Sequence, residues 1–261
     1  MYGLPLNVLV FDTPEDVAMA ATEKVVGYGQ ESISQHGVFS VALAGGNTPK
    51  RVYELLGSSR FKDLIDWSKV QLFFGDERSV PPDHPNSNYA MAVRALISKI
   101  EIPPSNVHRI PGEVNSDKSA AAYESELRDF FGEVAAPHFD LVLLGMGDDG
   151  HTASLFPNSD SLTETSSWVV AAKAPSGQDR ISLTLGAINN AARVLFLVTG
   201  SGKAQRLAEV LGDRPGAQLP AQLISPVKGT LEWLVDQAAA SLISLPLAPD
   251  ITEQPKNNNE N

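Results

Sequence analysis

Residues 139–157, FDLVLLGMGDDGHTASLFP, constrain the fold of this chain more than any other segment. They open with a nearly unbroken apolar run, which is typical of a strand buried on both faces of a parallel sheet. Three glycines, two aspartates and one histidine then occur within seven residues, 145–151. Because ligands of open α/β sheets bind beyond the carboxyl ends of the strands, a loop of this composition is a candidate active site.

Residues 145–150 also match the dinucleotide-binding pattern G-x-G-x-x-G, but their neighbours disfavour that interpretation. Asp148 and Asp149 would place two carboxylates where a pyrophosphate must lie. The acidic residue expected at the end of the next strand is also misplaced, because Glu164 precedes the next apolar run. The alternative that this segment leaves open is a glycine-rich turn with solvated aspartates and a surface histidine.

The composition disfavours several classes of function. The chain has 261 residues, which suits one large α/β domain or two small ones. It has no cysteine, which excludes disulfides, thiolate catalysis and cysteine-based metal sites. A net charge of −11 argues against nucleic acid as a partner, so any anion site must be built locally. No apolar run reaches about 18 residues and no secretion signal begins the chain, so we expect a cytoplasmic protein without a membrane span.

Apolar runs that predict strands alternate with segments that predict helices. Strands are expected at residues 6–11, 38–43, 70–74, 139–144, 168–172, 180–185 and 194–198, with a short edge strand at 106–111. No repeat or linker interrupts this alternation. We therefore predict a single doubly wound, Rossmann-like α/β domain over residues 1–245, with a mostly parallel sheet and helices on both faces. Residues 246–261 are polar, and we expect them to be disordered.

Helix starts are predicted from capping residues, because Ser, Thr, Asp and Asn side chains accept hydrogen bonds from the first free N–H groups of a helix. The expected caps are Thr13, Thr48, either Ser87 or Asn88, and either Ser116 or Asp117. Two histidines, His108 and His138, stand among apolar neighbours, and we expect them to have structural roles.

Four loops follow predicted strands and are therefore expected along one edge of the sheet. They are AGGNTP (44–49), GDERSVP (75–81), GMGDDGHTASLFP (145–157) and TGSGKA (199–204). The paired glycines of the first loop lead into a helix, where backbone N–H groups and the helix dipole favour an anion such as phosphate. The alternative for the first loop is a tight capped turn, and the alternative for the second loop is a solvated charge cluster.

The last of these loops is similar to a nucleotide-binding P-loop but lacks two of its residues. Leu197 stands where the first glycine belongs, and Ala204 replaces the Ser or Thr that would hold magnesium. Lys203, after a Gly-Ser-Gly turn, still suits a phosphate monoester. Together the loops predict a phosphorylated small molecule held from several sides, with His151 as an acid/base over its reactive end.

These four motifs, in this order, resemble those of the 6-phosphogluconolactonases, which share a superfamily with the glucosamine-6-phosphate deaminases. The resemblance extends to about residue 245. It implies hydrolysis of 6-phospho-D-glucono-1,5-lactone to 6-phospho-D-gluconate, the second step of the oxidative pentose phosphate pathway, with no metal or organic cofactor. The expected partner is a small sugar phosphate, with no nucleic acid and no membrane. The expected assembly is a monomer or a small homo-oligomer.

The resemblance also implies roles for individual residues. His151 matches the catalytic histidine, and Asp149 matches the acid just before it. The histidine would act as acid and base, and Asp149 would fix its tautomer, as the third member of a catalytic triad does. No G-x-S-x-G elbow occurs, so a covalent acyl-enzyme is not expected. The substrate- and phosphate-binding positions are Gly45, Gly46, Asn47, Thr48, Asp76, Arg78, Arg180 and Lys203.

Two departures separate this chain from the deaminase branch. Phe156 stands five residues after His151, where the deaminases carry a glutamate, and Arg78 replaces their tyrosine. Both departures favour the lactonase, although His84 and Ser87 look deaminase-like. A non-catalytic sugar-phosphate sensor is a third hypothesis. It is disfavoured because we find no spare segment for a helix-turn-helix and because a sensor would not need the histidine.

Overall fold

The computed structural model describes residues 7–212 and 219–243. Its strands are β1 (Asn7–Phe11), β2 (Phe39–Leu43), β3 (Val70–Phe74), β4 (Asp76–Arg78), β5 (Leu141–Leu144), β6 (Val169–Lys173), β7 (Asp179–Leu183), β8 (Arg193–Val198) and β9 (Thr230–Asp236). Its helices are α1 (Pro14–His36), α2 (Asn47–Leu56), α3 (Asn88–Ala95), α4 (Ser116–Phe131), α5 (Leu185–Asn189), α6 (Ala204–Leu211) and α7 (Gln237–Ala240). None of these helices is long and apolar enough to cross a membrane. The predicted boundary at residue 245 and the tail at 246–261 lie outside the described residues.

Six strands form a parallel sheet in the order β1-β9-β8-β5-β2-β3. Every residue of β2 and β5 is buried, so both faces are covered at the centre of the sheet. The apolar run at residues 139–144 supplies β5, between β2 and β8. The predicted α/β class with a mostly parallel sheet is therefore confirmed.

A second, antiparallel sheet in the order β4-β7-β6 corrects the expectation of a single sheet. Residues 76–78, which were expected in a loop, form β4. The reason lies at Gly75. Its N–H donates to Leu43 O of the main sheet (2.9 Å), and its C=O accepts from Leu183 N of the second sheet (2.8 Å). The chain thus changes sheets at one residue, and a strand ladder holds the charged residues that follow.

Two of the predicted helix caps are confirmed. Thr13 caps α1 through a reciprocal capping box with Asp16. Ser87 caps α3, and its hydroxyl accepts from Ala90 N at 3.0 Å. Both helices therefore begin where the sequence predicts.

The caps predicted for α2 and α4 are wrong. Gly46 precedes α2 with a φ of +98°, a conformation that glycine adopts at little cost, so Thr48 lies inside the first turn. Asn115 caps α4 by accepting from the N–H groups of Asp117 and Lys118. Asn, Ser and Asp are consecutive there, and since all three are good caps, residue type alone does not choose among them.

Two buried tyrosines fix the points at which β2 and β3 end. The Tyr53 hydroxyl donates to Ala44 O (2.8 Å) and accepts from Ala44 N (2.9 Å). The Tyr123 hydroxyl makes the same pair of bonds with Phe74, at 3.0 and 2.9 Å. Each phenol satisfies a backbone N–H and C=O where a strand ladder stops, so the loops that follow start from fixed positions.

The two histidines that were expected to be structural have structural contacts. His108 stacks on the ring of Phe73, with centroids 4.3 Å apart, and hydrogen-bonds to Glu126 and Gln71. Nδ1 of His138 lies 2.6 Å from a backbone carbonyl oxygen. The edge strand predicted around His108, at residues 106–111, is reduced to one isolated bridge to β3.

Candidate active site

One cleft of about 530 Å³ lies at the carboxyl ends of β2, β5 and β8, beside β4 and β7. The predicted site residues that line it are Gly45, Gly46, Asn47, Thr48, Asp76, Arg78, His151, Arg180 and Lys203. Asp149 is the one predicted site residue outside the lining, and it contacts His151. The structure therefore brings the four predicted loops together.

A histidine and an aspartate form a close pair in the loop after β5. Nδ1 of His151 is 2.6 Å from Asp149 Oδ1, and the same oxygen accepts from the His151 N–H at 3.0 Å. Because a carboxylate only accepts, Nδ1 is the donor to Asp149, and in the neutral imidazole the free lone pair therefore lies on Nε2. The imidazole is 32% exposed, so Nε2 can meet a ligand in the cleft.

The contacts with His151 lower the pKa of Asp149. Burial alone would raise it, but the hydrogen bond from the His151 N–H and the nearby imidazole outweigh burial. A carboxylate with a lowered pKa stabilises the fold above its unperturbed pKa of 3.8, and this contribution is lost as the pH falls through the lower folded-state pKa. Asp149 is therefore charged at neutral pH and holds the imidazole in one orientation.

Two glycines shape the loop that holds this pair. Gly150 has a φ of +83°, and the N–H of Gly147 donates to His151 O at 2.8 Å, which closes the loop. A Cβ atom on Gly147 would lie 2.1 Å from His151 Nδ1 and 2.8 Å from Asp149 Oδ1. Position 147 therefore requires glycine for space rather than for an unusual backbone conformation.

The histidine loop is tied to the second sheet. The Ser154 hydroxyl donates to Asp76 Oδ2 at 2.6 Å, and Ser154 N donates to the Ser182 hydroxyl at 3.1 Å. Phe156 is buried in the same loop and packs its ring 4.8 Å from the ring of His151. The imidazole is thus held at a fixed distance from the charged residues of β4, with an apolar side chain against it.

Another part of the cleft is suited to an anion. The backbone N–H groups of residues 45–48, at the start of α2, donate to no acceptor among the described residues. The hydroxyls of Thr48 and Thr199 lie 2.8 Å apart and connect this loop to the one after β8. Free N–H groups at a helix start, with hydroxyls beside them, match the donor set of a phosphate site.

Three cations line the same cleft. Arg78 and Arg180 are direct partners in the register of β4 and β7, so their side chains share one face. Burial and the charge of Arg78 lower the pKa of Arg180. Like charges directly opposite destabilise a sheet, and an anion between them would remove this cost. Lys203 Nζ lies 2.5 Å from Asp148 Oδ1, an exposed carboxylate at the rim.

The cleft also depends on residues that the sequence analysis did not assign to it. Glu77 is a buried carboxylate that accepts from the N–H groups of Arg78, Asn88 and Tyr89 and from the Ser87 hydroxyl, all at 2.7 to 2.9 Å. Burial raises the pKa of Glu77, while these four donors oppose the rise. A charged triplet such as 76–78 is indistinguishable from a solvated cluster by residue type, so sequence carries no signal for this burial.

A second buried carboxylate supports the loop after β8. Both oxygens of Asp236, at the end of β9, lie 3.0 Å from Gly200 N, and Oδ1 also accepts from Ala239 N. The Gly200 N–H is therefore not available to a ligand.

Within residues 7–212 and 219–243, no three His, Cys, Asp or Glu side chains gather as a metal site requires.

Residues 12–233 match the family model described as glucosamine-6-phosphate isomerases/6-phosphogluconolactonase. The chain belongs to this family. A 6-phosphogluconolactonase from Synechocystis sp. is 42% identical over 214 residues, which cover 80% of this chain and 86% of that protein. A 6-phosphogluconolactonase from Haemophilus influenzae is 36% identical over 242 residues, which cover 91% of this chain and 100% of that protein.

A solved structure agrees with these relatives. The 6-phosphogluconolactonase from Trypanosoma cruzi matches with a TM-score of 0.85 and 31% identity, over 94% of this chain and 99% of that one. These similarities confirm the resemblance stated from the four loops and, with it, the expected class of enzyme, a lactone hydrolase.

We predict that Gly147→Ala slows lactone hydrolysis by roughly 10²-fold without unfolding the protein, because the new methyl group displaces the imidazole from Asp149. The measurement is the hydrolysis rate together with the thermal unfolding midpoint. Gly27→Ala is the matched control, because that glycine lies on the exposed face of α1 with open space around it. An unchanged rate in Gly147→Ala would mean that the imidazole need not occupy this position.

Proposed function

We propose that this protein hydrolyses 6-phospho-D-glucono-1,5-lactone to 6-phospho-D-gluconate. The observation that carries the proposal is the position of the His151–Asp149 pair in one cleft with Arg78, Arg180 and Lys203. A pair of this kind suits proton transfer, and the cations suit a phosphate group on the same molecule. A cytoplasmic location and a monomeric or small homo-oligomeric state belong to the same proposal.

The proposed reaction needs only water and the histidine for its proton steps. Nε2 of His151 takes a proton from water as the water oxygen attacks the lactone carbonyl carbon, while Asp149 stabilises the imidazolium that forms. The tetrahedral intermediate then collapses. The bond between the carbonyl carbon and the ring oxygen breaks, and Nε2 returns the proton to that oxygen. The product is an open-chain acid that ionises at neutral pH.

The phosphate would lie against the start of α2. The free N–H groups of residues 45–48 and the hydroxyl of Thr48 supply donors there, and the cations supply charge. In this proposal Asp76 faces the sugar rather than the phosphate, because a carboxylate repels phosphate and accepts from hydroxyl groups. Binding energy from the phosphate end would hold the lactone carbonyl near His151.

A deaminase is the second candidate, because the family model also covers glucosamine-6-phosphate isomerases, enzymes that act on an amino sugar phosphate. Ring opening of an amino sugar phosphate requires a proton relay, and Phe156 has no proton to transfer. The deaminase-like residues are also engaged elsewhere: the Ser87 hydroxyl donates to Glu77, and His84 Nδ1 accepts from Asn86 N. These contacts support the lactonase.

The deciding experiment measures two reactions of the purified protein. We expect rapid disappearance of the phosphorylated lactone after spontaneous hydrolysis is subtracted, and no ammonia from glucosamine 6-phosphate. Ammonia in stoichiometric amounts would overturn the assignment in favour of the deaminase. Tight binding of sugar phosphates with neither reaction would indicate the sensor.

We predict that His151→Ala lowers turnover by roughly 10² to 10⁴, the usual contribution of a general acid/base, while affinity for 6-phosphogluconate is largely kept. The two measurements are the steady-state rate and the product affinity by calorimetry. His138→Ala is the control, because that histidine contacts Asn190 and does not line the cleft. Full activity in His151→Ala would refute the role of the imidazole.

We predict that Lys203→Ala weakens binding of 6-phosphogluconate by about 1.5 to 3 kcal/mol, the value of a hydrogen bond to a charged group. The variant should also narrow the preference for phosphorylated over unphosphorylated lactone, measured as a ratio of kcat/KM values. Lys69→Ala is the control. Lys69 directly precedes β3, at the amino end of that strand and away from the cleft, so its removal deletes the same charge and should leave that ratio unchanged. If Lys203→Ala kept the full wild-type preference for the phosphorylated lactone, Lys203 would not be part of the phosphate site.

A further inference from the structure

Asn88 lines the cleft, and only the Nδ2 group of its side-chain amide is hydrogen-bonded to a described residue. It is the first residue of α3 and is 2% exposed. Its Nδ2 donates to the backbone oxygen of Asp76 at 2.9 Å and to Asp76 Oδ1 at 3.3 Å. A backbone carbonyl can only accept, so the amide cannot be reversed. No donor within the described residues reaches its Oδ1 atom.

The orientation of Asn88 is fixed from its backbone as well. Its N–H donates to Glu77 Oε1 at 2.7 Å, and the other oxygen of Glu77 accepts from Ser87 and Tyr89. Since Glu77 is buried and its two oxygens share four donors, the start of α3 cannot rotate without breaking several hydrogen bonds. The free Oδ1 atom is therefore presented in one direction.

That direction is toward the glycine loop. A Cβ atom on Gly45 would lie 2.3 Å from Asn88 Oδ1. Gly45 has no left-handed φ, so its role is to leave space for this oxygen rather than to permit a turn. The oxygen consequently lies beside the segment whose free N–H groups suit an anion, and next to the carboxylate of Asp76.

We propose that Asn88 is a specificity-determining residue whose Oδ1 accepts a hydrogen bond from a hydroxyl group of a polyhydroxylated ligand. The inference rests on the proposed function, which supplies such a ligand. This oxygen faces the cleft and has no donor among the described residues, so it can accept from a ligand hydroxyl, whereas a phosphate dianion cannot satisfy it because the dianion itself only accepts. Asn88 and Asp76 together present only acceptors to the cleft, so they bind hydroxyl groups of the sugar, while the cations bind the phosphate.

The test separates these two kinds of recognition by calorimetry with two ligands, 6-phosphogluconate and inorganic phosphate. We expect Asn88→Ala to weaken binding of 6-phosphogluconate by roughly 10-fold, about one hydrogen bond, and to change the phosphate affinity by less than about two-fold. Asn86→Ala is the matched control. It lies two residues away, and its side chain makes no hydrogen bond to a described residue. It should leave both affinities unchanged.

Two results would overturn the inference. An equal loss for both ligands would mean that Asn88 only supports the loop, and no loss for either would mean that its oxygen is not used. If Asn88→Ala fails to fold, Asn88→Ser serves instead, because its hydroxyl is too short to reach the Oδ1 position and the same ligand contrast is expected. A wild-type protein that does not prefer 6-phosphogluconate over inorganic phosphate would contradict the proposed function itself, an outcome that needs no variant.

Discussion

The junction at Gly75 is the interaction on which the rest of the cleft depends. Its N–H completes the main sheet at Leu43, and its C=O begins the second sheet at Leu183. The next residue, Asp76, therefore starts a strand with a defined register instead of a loop. This register places Arg78 opposite Arg180 and leaves the Asp76 carboxylate within reach of the histidine loop. Two sheets joined at one peptide thus determine which charges meet.

The cleft concentrates positive charge in a chain whose net charge is −11. Arg78 and Arg180 have no ion-pair partner in the part of the chain that is described, although carboxylates lie nearby. Within residues 7–212 and 219–243, Lys203 pairs only with the exposed Asp148, and exposed pairs are weak. A phosphate entering the cleft would therefore displace little favourable interaction and would relieve the repulsion between the two guanidinium groups.

Around these charges, the polar groups of the site are held by buried partners. Glu77 and Asp236 are buried carboxylates whose oxygens accept from backbone N–H groups of the cleft loops. Tyr53 and Tyr123 bind both backbone groups of a residue at a strand end. Donors and acceptors fixed in this way need little reorganisation when a ligand binds, which is how preorganised sites stabilise developing charge.

The sequence by itself determined the features that depend on neighbouring residues. Apolar runs identified β5 and its neighbours β2 and β8, although the interior strand β9 was not predicted. Glycine content identified the loops, and motif order identified the family. The contact between Asp149 and His151 was also predictable, because the two residues are two positions apart.

Tertiary structure decided the features that depend on distant residues. Ser154 meets Asp76 across 78 residues, and Arg78 meets Arg180 through a strand pairing that begins at Gly75. The buried carboxylate of Glu77 accepts from the first residues of α3, and these contacts fix the position of Asn88. Local propensity predicts a charged turn at residues 76–78. The hydrogen bonds that make these residues a strand come from β7, and no pattern within the segment indicates that partner.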